Sequence, residues 1–304
     1  MRAFLSRLSL AASALLFLPA GACAQTAEAR QEIEAAARAA YAAAQAGPTD
    51  VKLADQAVVH LPERMLFVPR PQAERLMQAY GNGKDATLLG LVMPKADDED
   101  WVITVNFEKA GYIKDDDARN WNVSELLTSL REGTEQSNEE RRKLGFPELT
   151  VDGWVQAPRY DSATQRLVWS VAARHKKAGL SEDPTVNYNT YALGRDGYIT
   201  LDLITQKSAV PKDKGAVLAL LDNLEYVEGK RYADFNASTD KVAEYGLAAL
   251  VAGVAAKKLG LFAVIAAFVA KFAKVFVLAA AALGGGLWKR LRGKKEKAQD
   301  SQQA

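Results

Sequence analysis

The residues from Tyr245 to Trp288 constrain this chain most. Within that stretch only Lys257, Lys258, Lys271 and Lys274 carry charge, and the basic run Lys289, Arg290, Arg292, Lys294, Lys295 and Lys297 follows directly. A soluble domain would have to bury such a stretch on all sides, whereas a bilayer buries it without help. A spanning helix needs roughly 20 apolar residues. A lysine at the bilayer centre costs about 2.5–3.5 kcal/mol against about 0.3–0.6 returned by each large aliphatic residue. The best span therefore runs from about Phe268 to Trp288. It leaves Lys271 and Lys274 in the outer turns to snorkel, and sets Trp288 at the inner boundary with the basic tail in the cytoplasm. Gly284, Gly285 and Gly286 weaken that helix.

The preceding residues, Gly246 to Ala270, satisfy two arrangements, an interfacial helix or a second span. Small residues recur four apart at Ala252, Ala256 and Gly260, and at Ala249 and Gly253, a spacing suited to close helix packing. Gly253 and Gly260 are thus candidate packing positions. The four lysines share one broad half of the helix, which either meets lipid phosphates or is the solvated side.

The opposite end reads as a secretory leader over residues 1–24. Arg2 and Arg7 precede the apolar run Leu8–Leu18, and Ala22-Cys23-Ala24 is a small-x-small cleavage site. Lipoprotein processing at Cys23 is the rival, but Ala20 stands where a leucine is usual. Cys23 is the one cysteine, so a chain cleaved after Ala24 has no disulfide, thiolate chemistry or cysteine-held metal. Export without disulfides fits a bacterial periplasm.

Charge divides the same way. Setting aside Arg2, Arg7 and the ten basic and two acidic residues after Tyr245 leaves 27 basic and 35 acidic residues, a net charge of −8. The central domain is acidic, which argues against nucleic-acid binding, and the anchor is basic.

Residues 25–47 form an alanine-rich helix. Ile33, Ala36, Ala37, Ala40, Tyr41 and Ala44 keep helical spacing, and Gly47-Pro48 ends it. A face this poor in large side chains is expected to pack weakly or to lead into the domain. Residues 48–236 then supply one domain. Short strands are expected at 51–53, 56–61 and 65–68, a helix from Pro71 to about Tyr80, and strands at 87–93 and 101–107. A helix at 123–144 follows, with Ser124 as its cap. The second half reads as hairpins, 154–158 with 166–173 and 187–193 with 198–204, followed by a helix at 214–224. Strands joined by short turns with helices outside them give an α+β fold with a mostly antiparallel sheet, to which a C-terminal transmembrane helix or helical hairpin is added.

Catalytic signatures are thin. There is no nucleophile elbow, phosphate loop, zincin motif or calcium loop. Gly81-Asn82-Gly83-Lys84-Asp85-Ala86 imitates a dinucleotide fingerprint, but a helix is expected before it and a strand after it, the reverse of what that motif needs. His60 and His175 have no partner spacing that suggests a metal, and no cofactor is expected. What remains is a set of binding candidates. Asp115, Asp116 and Asp117 form a carboxylate cluster suited to a cation, or alternatively a solvated loop. Trp101, Trp121, Trp154 and Trp169, with Tyr160, Tyr188 and Tyr191, either line a groove or serve as core and hairpin pairs, and Asp161 and Arg195 complete the binding candidates.

Several of these residues fall in a recognisable order. Trp101 and Phe107 are followed by Gly111-Tyr112-Ile113-Lys114-Asp115-Asp116-Asp117, then Asn138 and Arg142 before Gly145. Gly153-Trp154, Pro158, Tyr160-Asp161, Leu167, Trp169, Asn187-Tyr188-Asn189 and Leu193-Gly194-Arg195 come next. From Pro48 onward the chain resembles the uncharacterised membrane-anchored bacterial proteins grouped as domain of unknown function 2167. That resemblance implies an exported domain with a C-terminal anchor, and supplies no activity, substrate or catalytic residue. The sequence thus leads to a membrane-anchored periplasmic protein at the bacterial inner membrane. Its expected partners are membrane lipid and an envelope protein or a second copy of itself, with no nucleic acid. Two other readings stay open, a carboxylate-dependent envelope hydrolase and a subunit of an inner-membrane complex.

Overall fold

Apolar side chains recurring along residues 88–108 and 185–206 build the centre of a large antiparallel sheet in the computed structural model. The structure describes residues 27–80, 82–96, 98–143, 147–177 and 182–252, all within one unit that ends at residue 253. The chain begins with α1 (Ala27–Ala43) and β1 (Gln45–Ala46). A hairpin of β2 (Thr49–Leu53) and β3 (Ala57–Leu61) follows, and β4 (Met65–Pro69) runs into α2 (Arg70–Ala79). Next come β5 (Leu88–Pro94), β6 (Val102–Glu108) and α3 (Val123–Lys143). Four long strands succeed them: β7 (Leu149–Asp161), β8 (Arg166–His175), β9 (Thr185–Leu193) and β10 (Tyr198–Gln206). Then come α4 (Val210–Asp222), β11 (Leu224–Tyr226) and α5 (Leu247–Ala252).

Eight strands form the large sheet in the order β1-β4-β5-β6-β10-β9-β8-β7, and β11-β3-β2 form a small one, antiparallel throughout. The expected α+β class with a mostly antiparallel sheet is what the chain adopts. The period-two alternation of each strand sends successive side chains to opposite faces. On one face Ile103, Val105, Leu201, Leu203, Val186 and Tyr188 pack against Val51, Leu53, Val59 and Leu61 of the small sheet and Val217, Leu220 and Leu221 of α4. Each such side chain contributes about 1.5–3 kcal/mol through the apolar area it removes from water.

The other face has two covers. Over β4 and β5 lie α1 and α2, with Ile33, Ala36, Ala37, Ala40, Ala73 and Leu76 against Val68, Leu91, Met93, Val102 and Ile204. The alanine face of α1 therefore does not pack weakly. Ala36 and Ala40 are fully buried, because small side chains let the helix approach α2 and the sheet closely. Over the far end α3 packs on β7 and α5.

That far end is where β7 leaves an open edge, and α3 seals part of it. The fully buried Asn138 amide takes the place of a neighbouring strand. Its Nδ2 donates to Leu149 O and its Oδ1 accepts from Leu149 N, both at 2.8 Å. Arg131 donates to Val151 O and Asp152 O, and Arg141 to Pro147 O. Unpaired edge groups template aggregation, so satisfying them protects the fold. These contacts also explain why β7 begins at Leu149 and not at the expected Trp154.

The α3 cap differs from expectation as well. Asn122 Oδ1, and not Ser124, accepts the first free N–H groups, from Ser124 at 3.1 Å and Glu125 at 3.2 Å. Among the described residues no helix is long and apolar enough to cross a membrane. The leader at 1–24, most of the anchor at 245–290 and the tail at 291–304 lie outside the described residues, as do Gly253, Gly260, Lys271, Lys274 and Trp288.

Candidate functional site

The acidic loop is built onto a rigid base. Its Tyr112 ring stacks on Tyr232 and Phe235, with centroids 4.4 and 3.9 Å away. Tyr112 N donates to Lys241 O, and Ala243 N donates to Tyr112 O. Gly111 turns the chain with φ +95°, and a Cβ there would lie 2.6 Å from Lys241 O, so only glycine fits. Arg195 helps to hold the other side of this junction. Its guanidinium clamps Asp240 through two hydrogen bonds of 2.7 and 2.8 Å and reaches Gly229 O. That pairing keeps the Asp240 carboxyl far below the usual range. Arg195 thus braces the β9–β10 turn against residues 229–240.

The three aspartates part company. Asp115 Oδ2 accepts the Tyr160 hydroxyl at 2.9 Å. Asp116 is exposed. Asp117 points the other way and accepts the N–H groups of Leu247 at 3.1 Å and Ala248 at 2.9 Å, capping α5. A Cβ on Gly246 would sit 2.5 Å from that carboxylate, so the glycine makes room for the cap. Among the described residues no group of three or more His, Cys, Asp or Glu side chains is placed to hold a metal.

Asp115, Trp121 and Tyr160 do come together. With Ala118, Pro158 and Ser162 they line a cleft of about 240 Å³. Burial, and then the Asp115 carboxylate, push the Tyr160 phenol well above its ordinary value, so it remains a proton donor to Asp115. The Trp121 indole N–H is buried there without an acceptor. The cleft therefore offers a carboxylate and a phenol hydroxyl beside two aromatic rings and a proline. Asp161 stands next to it in the β7–β8 turn, accepting from Ala163 N and Thr164 Oγ1 at 2.9 Å each.

The other aromatics do not line this cleft. Trp154 donates to Val123 O at 3.3 Å and meets Trp169 edge-on at 6.1 Å. Trp169 lies parallel to Tyr191 at 6.5 Å, and Tyr191 donates to Leu250 O at 3.2 Å, tying α5 to the sheet. Tyr188 points to the opposite face, is 2% exposed and donates to Gln156 Oε1.

Sequence reasoning passes over one residue. Asp202 lies in the middle of the large sheet, in a cross-strand row with Thr104, Asn189 and Trp169. The residue keeps partial solvent access, yet its Oδ1 is buried and accepts no hydrogen bond. Burial pushes its carboxyl up to about 7 against the pull of the Thr200 hydroxyl and the Thr190 backbone. The available signal is one carboxylate inside the apolar strand Tyr198–Ile204.

Comparisons with known proteins bear on the family. Among solved structures the chain is similar to cyanobacterial PsbP (CyanoP) from Synechocystis sp. PCC 6803. That likeness has 11% identity and a TM-score of 0.36, and covers 69% of this chain and 100% of that one. It is also similar to the Ran-binding protein Mog1p of Saccharomyces cerevisiae, with 11% identity and a TM-score of 0.31, covering 63% and 100%. No curated protein matches the chain. The family described as "Protein of unknown function (DUF2167)" matches residues 45–282, most of the chain, and the chain belongs to that family.

Proposed function

We propose that the chain is a non-enzymatic binding and assembly module of the bacterial envelope. In this reading a periplasmic domain is held at the inner membrane by the apolar segment after α5 and engages an envelope protein or a second copy. The observation that carries it is the junction at Leu247. Asp117 caps α5, and Leu247, Leu250 and Val251 are buried against the domain. The first residues of the apolar stretch, Leu247–Ala252, are thereby part of the folded unit.

The hydrolase alternative is disfavoured by the same geometry, since Asp115 and Asp117 already serve Tyr160 and α5. A photo-crosslinking residue at exposed Ser162, on the cleft rim, tests the proposal in cells. A discrete adduct with an envelope protein, or with a second copy, is expected. Uncrosslinked, monomeric protein in detergent extracts, together with a fluorescent C-terminal fusion that is not membrane-associated, would sink it.

A further inference from the structure

The cleft of Asp115, Trp121 and Tyr160 presents acceptors almost alone. The Tyr160 proton is spent on Asp115 Oδ2 at 2.9 Å, so what the phenol still offers is its oxygen lone pairs. Among the described residues no donor meets Asp115 Oδ1. The Trp121 indole N–H is buried, so Trp121 borders the open space with its ring and not with its donor. Pro158 has no N–H, and the N–H groups of Ala118 and Ala163 are taken by Asp115 O and Asp161 Oδ1. The Ser162 hydroxyl on the rim can serve either way. None of the described lining residues is a cation. Asp161 stands close enough to act on the Tyr160 phenol, which adds a second negative charge. Asp115 and Tyr160 keep partial solvent access and Ser162 is exposed, so the cleft is open to a guest.

Acceptors, negative charge and ring faces call for one kind of guest, a group that brings N–H donors and positive charge. Carboxylates bond such groups strongly, and the faces of Trp and Tyr attract organic cations. A divalent metal is a poorer guest, because such ions demand more oxygen ligands than one carboxylate supplies. The volume of about 240 Å³ falls below the roughly 300–1,000 Å³ of pockets that enclose a whole small molecule. It suits the end of one side chain. The central domain has a net charge of −8, which draws a basic partner towards it.

We propose that this cleft receives one Lys or Arg side chain of a protein partner. Asp115 Oδ1 accepts an N–H of its charged head, and the aliphatic stem lies against the Trp121 ring and Pro158. The inference rests on the reading of the chain as a binding module, and names what that module recognises.

The test is titration of Nα-acetylarginine amide into the full chain in detergent, read by calorimetry. Nα-acetylcitrulline amide, of equal shape and without charge, is the control. Saturable arginine binding is expected, about tenfold or more tighter than that of citrulline, with a loss of similar size in Asp115→Asn. Trp121→Leu removes no hydrogen bond, because the indole N–H has none. It should weaken arginine binding about threefold or more, and it decides the matter if Asp115→Asn does not fold. Equal binding of the two amides, or unchanged arginine binding in either folded variant, overturns the proposal. So does displacement of the arginine amide by vesicles of ethanolamine phospholipid, which would make the guest a lipid headgroup. The crosslinker at Ser162 separates this site from the reading beneath it. Arginine binding without an adduct in cells upholds the site and counts against the assembly module. An adduct without arginine binding overturns the site and leaves the module standing.

Discussion

Strands β9 and β10 present two faces that differ in kind. One carries Val186, Tyr188, Leu201 and Leu203 and is closed by the small sheet and α4. The other carries Asn187, Asn189, Tyr191, Thr200 and Asp202 in the same strands, one residue out of phase. The first face obeys the ordinary rule that apolar surface seeks cover. The second places a carboxylate and two amides where cover is also provided, leaving two acceptor oxygens unpaired. The first face supplies stability. The second gives some of it up, as functional surfaces commonly do. Substitutions in neighbouring residues of one strand should therefore act in opposite directions.

The largest effect is expected on the dry face. Leu201→Ala removes a fully buried side chain from the middle of the sheet and should cost about 2–5 kcal/mol in urea unfolding. A cost below about 1 kcal/mol would mean that this face is not the closed core described.

One residue later the sign changes. The folded carboxyl of Asp202 is raised to about 7, while an unfolded Asp titrates near 3.9. Between about pH 4 and 7 the folded chain thus holds a proton that the unfolded chain has released. Stability from this group is full below pH 4 and falls as pH rises to about 7. Each tenfold difference in proton affinity between the two states is worth about 1.4 kcal/mol, which sets a ceiling of about 4 kcal/mol. The partial solvent access of Asp202 lowers it. Unfolding followed from pH 4 to pH 8 should show the decline, and Asp202→Asn should flatten it. A profile that keeps its slope in the variant would assign the titration to another group.

The edge of the sheet sharpens the contrast, because there buried polar atoms are satisfied. Asn138→Ala leaves Leu149 N and O without their side-chain partner. It should cost about 1–3 kcal/mol and expose a strand edge, so light scattering at high concentration should rise.

Much of this fold is legible in the sequence, since alternation marks strands whatever covers them. Periodicity and turn residues place each β-hairpin and the three longest helices. Partners across space are not legible. The alanines of α1 look weak until α2 and the sheet approach them. Arg195 looks like a surface cation until Asp240, 45 residues on, reaches it. Tyr188 and Trp169 look alike as aromatics, but parity along β8 and β9 sends them to opposite faces. At the cleft, Asp115, Trp121 and Tyr160 are among the expected candidates, whereas Asp202 is hidden inside a strand that reads as plain core.

The acidic loop repeats the comparison on a smaller scale, between adjacent residues of equal charge. Asp117 caps α5 with two hydrogen bonds to backbone N–H groups, and a lost cap costs about 0.5–2 kcal/mol. Asp116 is exposed, and surface substitutions of that kind stay within about 0.5 kcal/mol. Asp117→Ala should therefore lower the unfolding midpoint, and hydrogen exchange at Leu247 and Ala248 should quicken. Asp116→Asn should change neither. If Asp116→Asn instead abolished function in cells while stability held, the loop would have a chemical role that its hydrogen bonds do not reveal, and the hydrolase reading would return. If both variants behaved alike in exchange, the cap would not be what secures the start of the apolar segment, and the coupling on which the assembly proposal rests would fail.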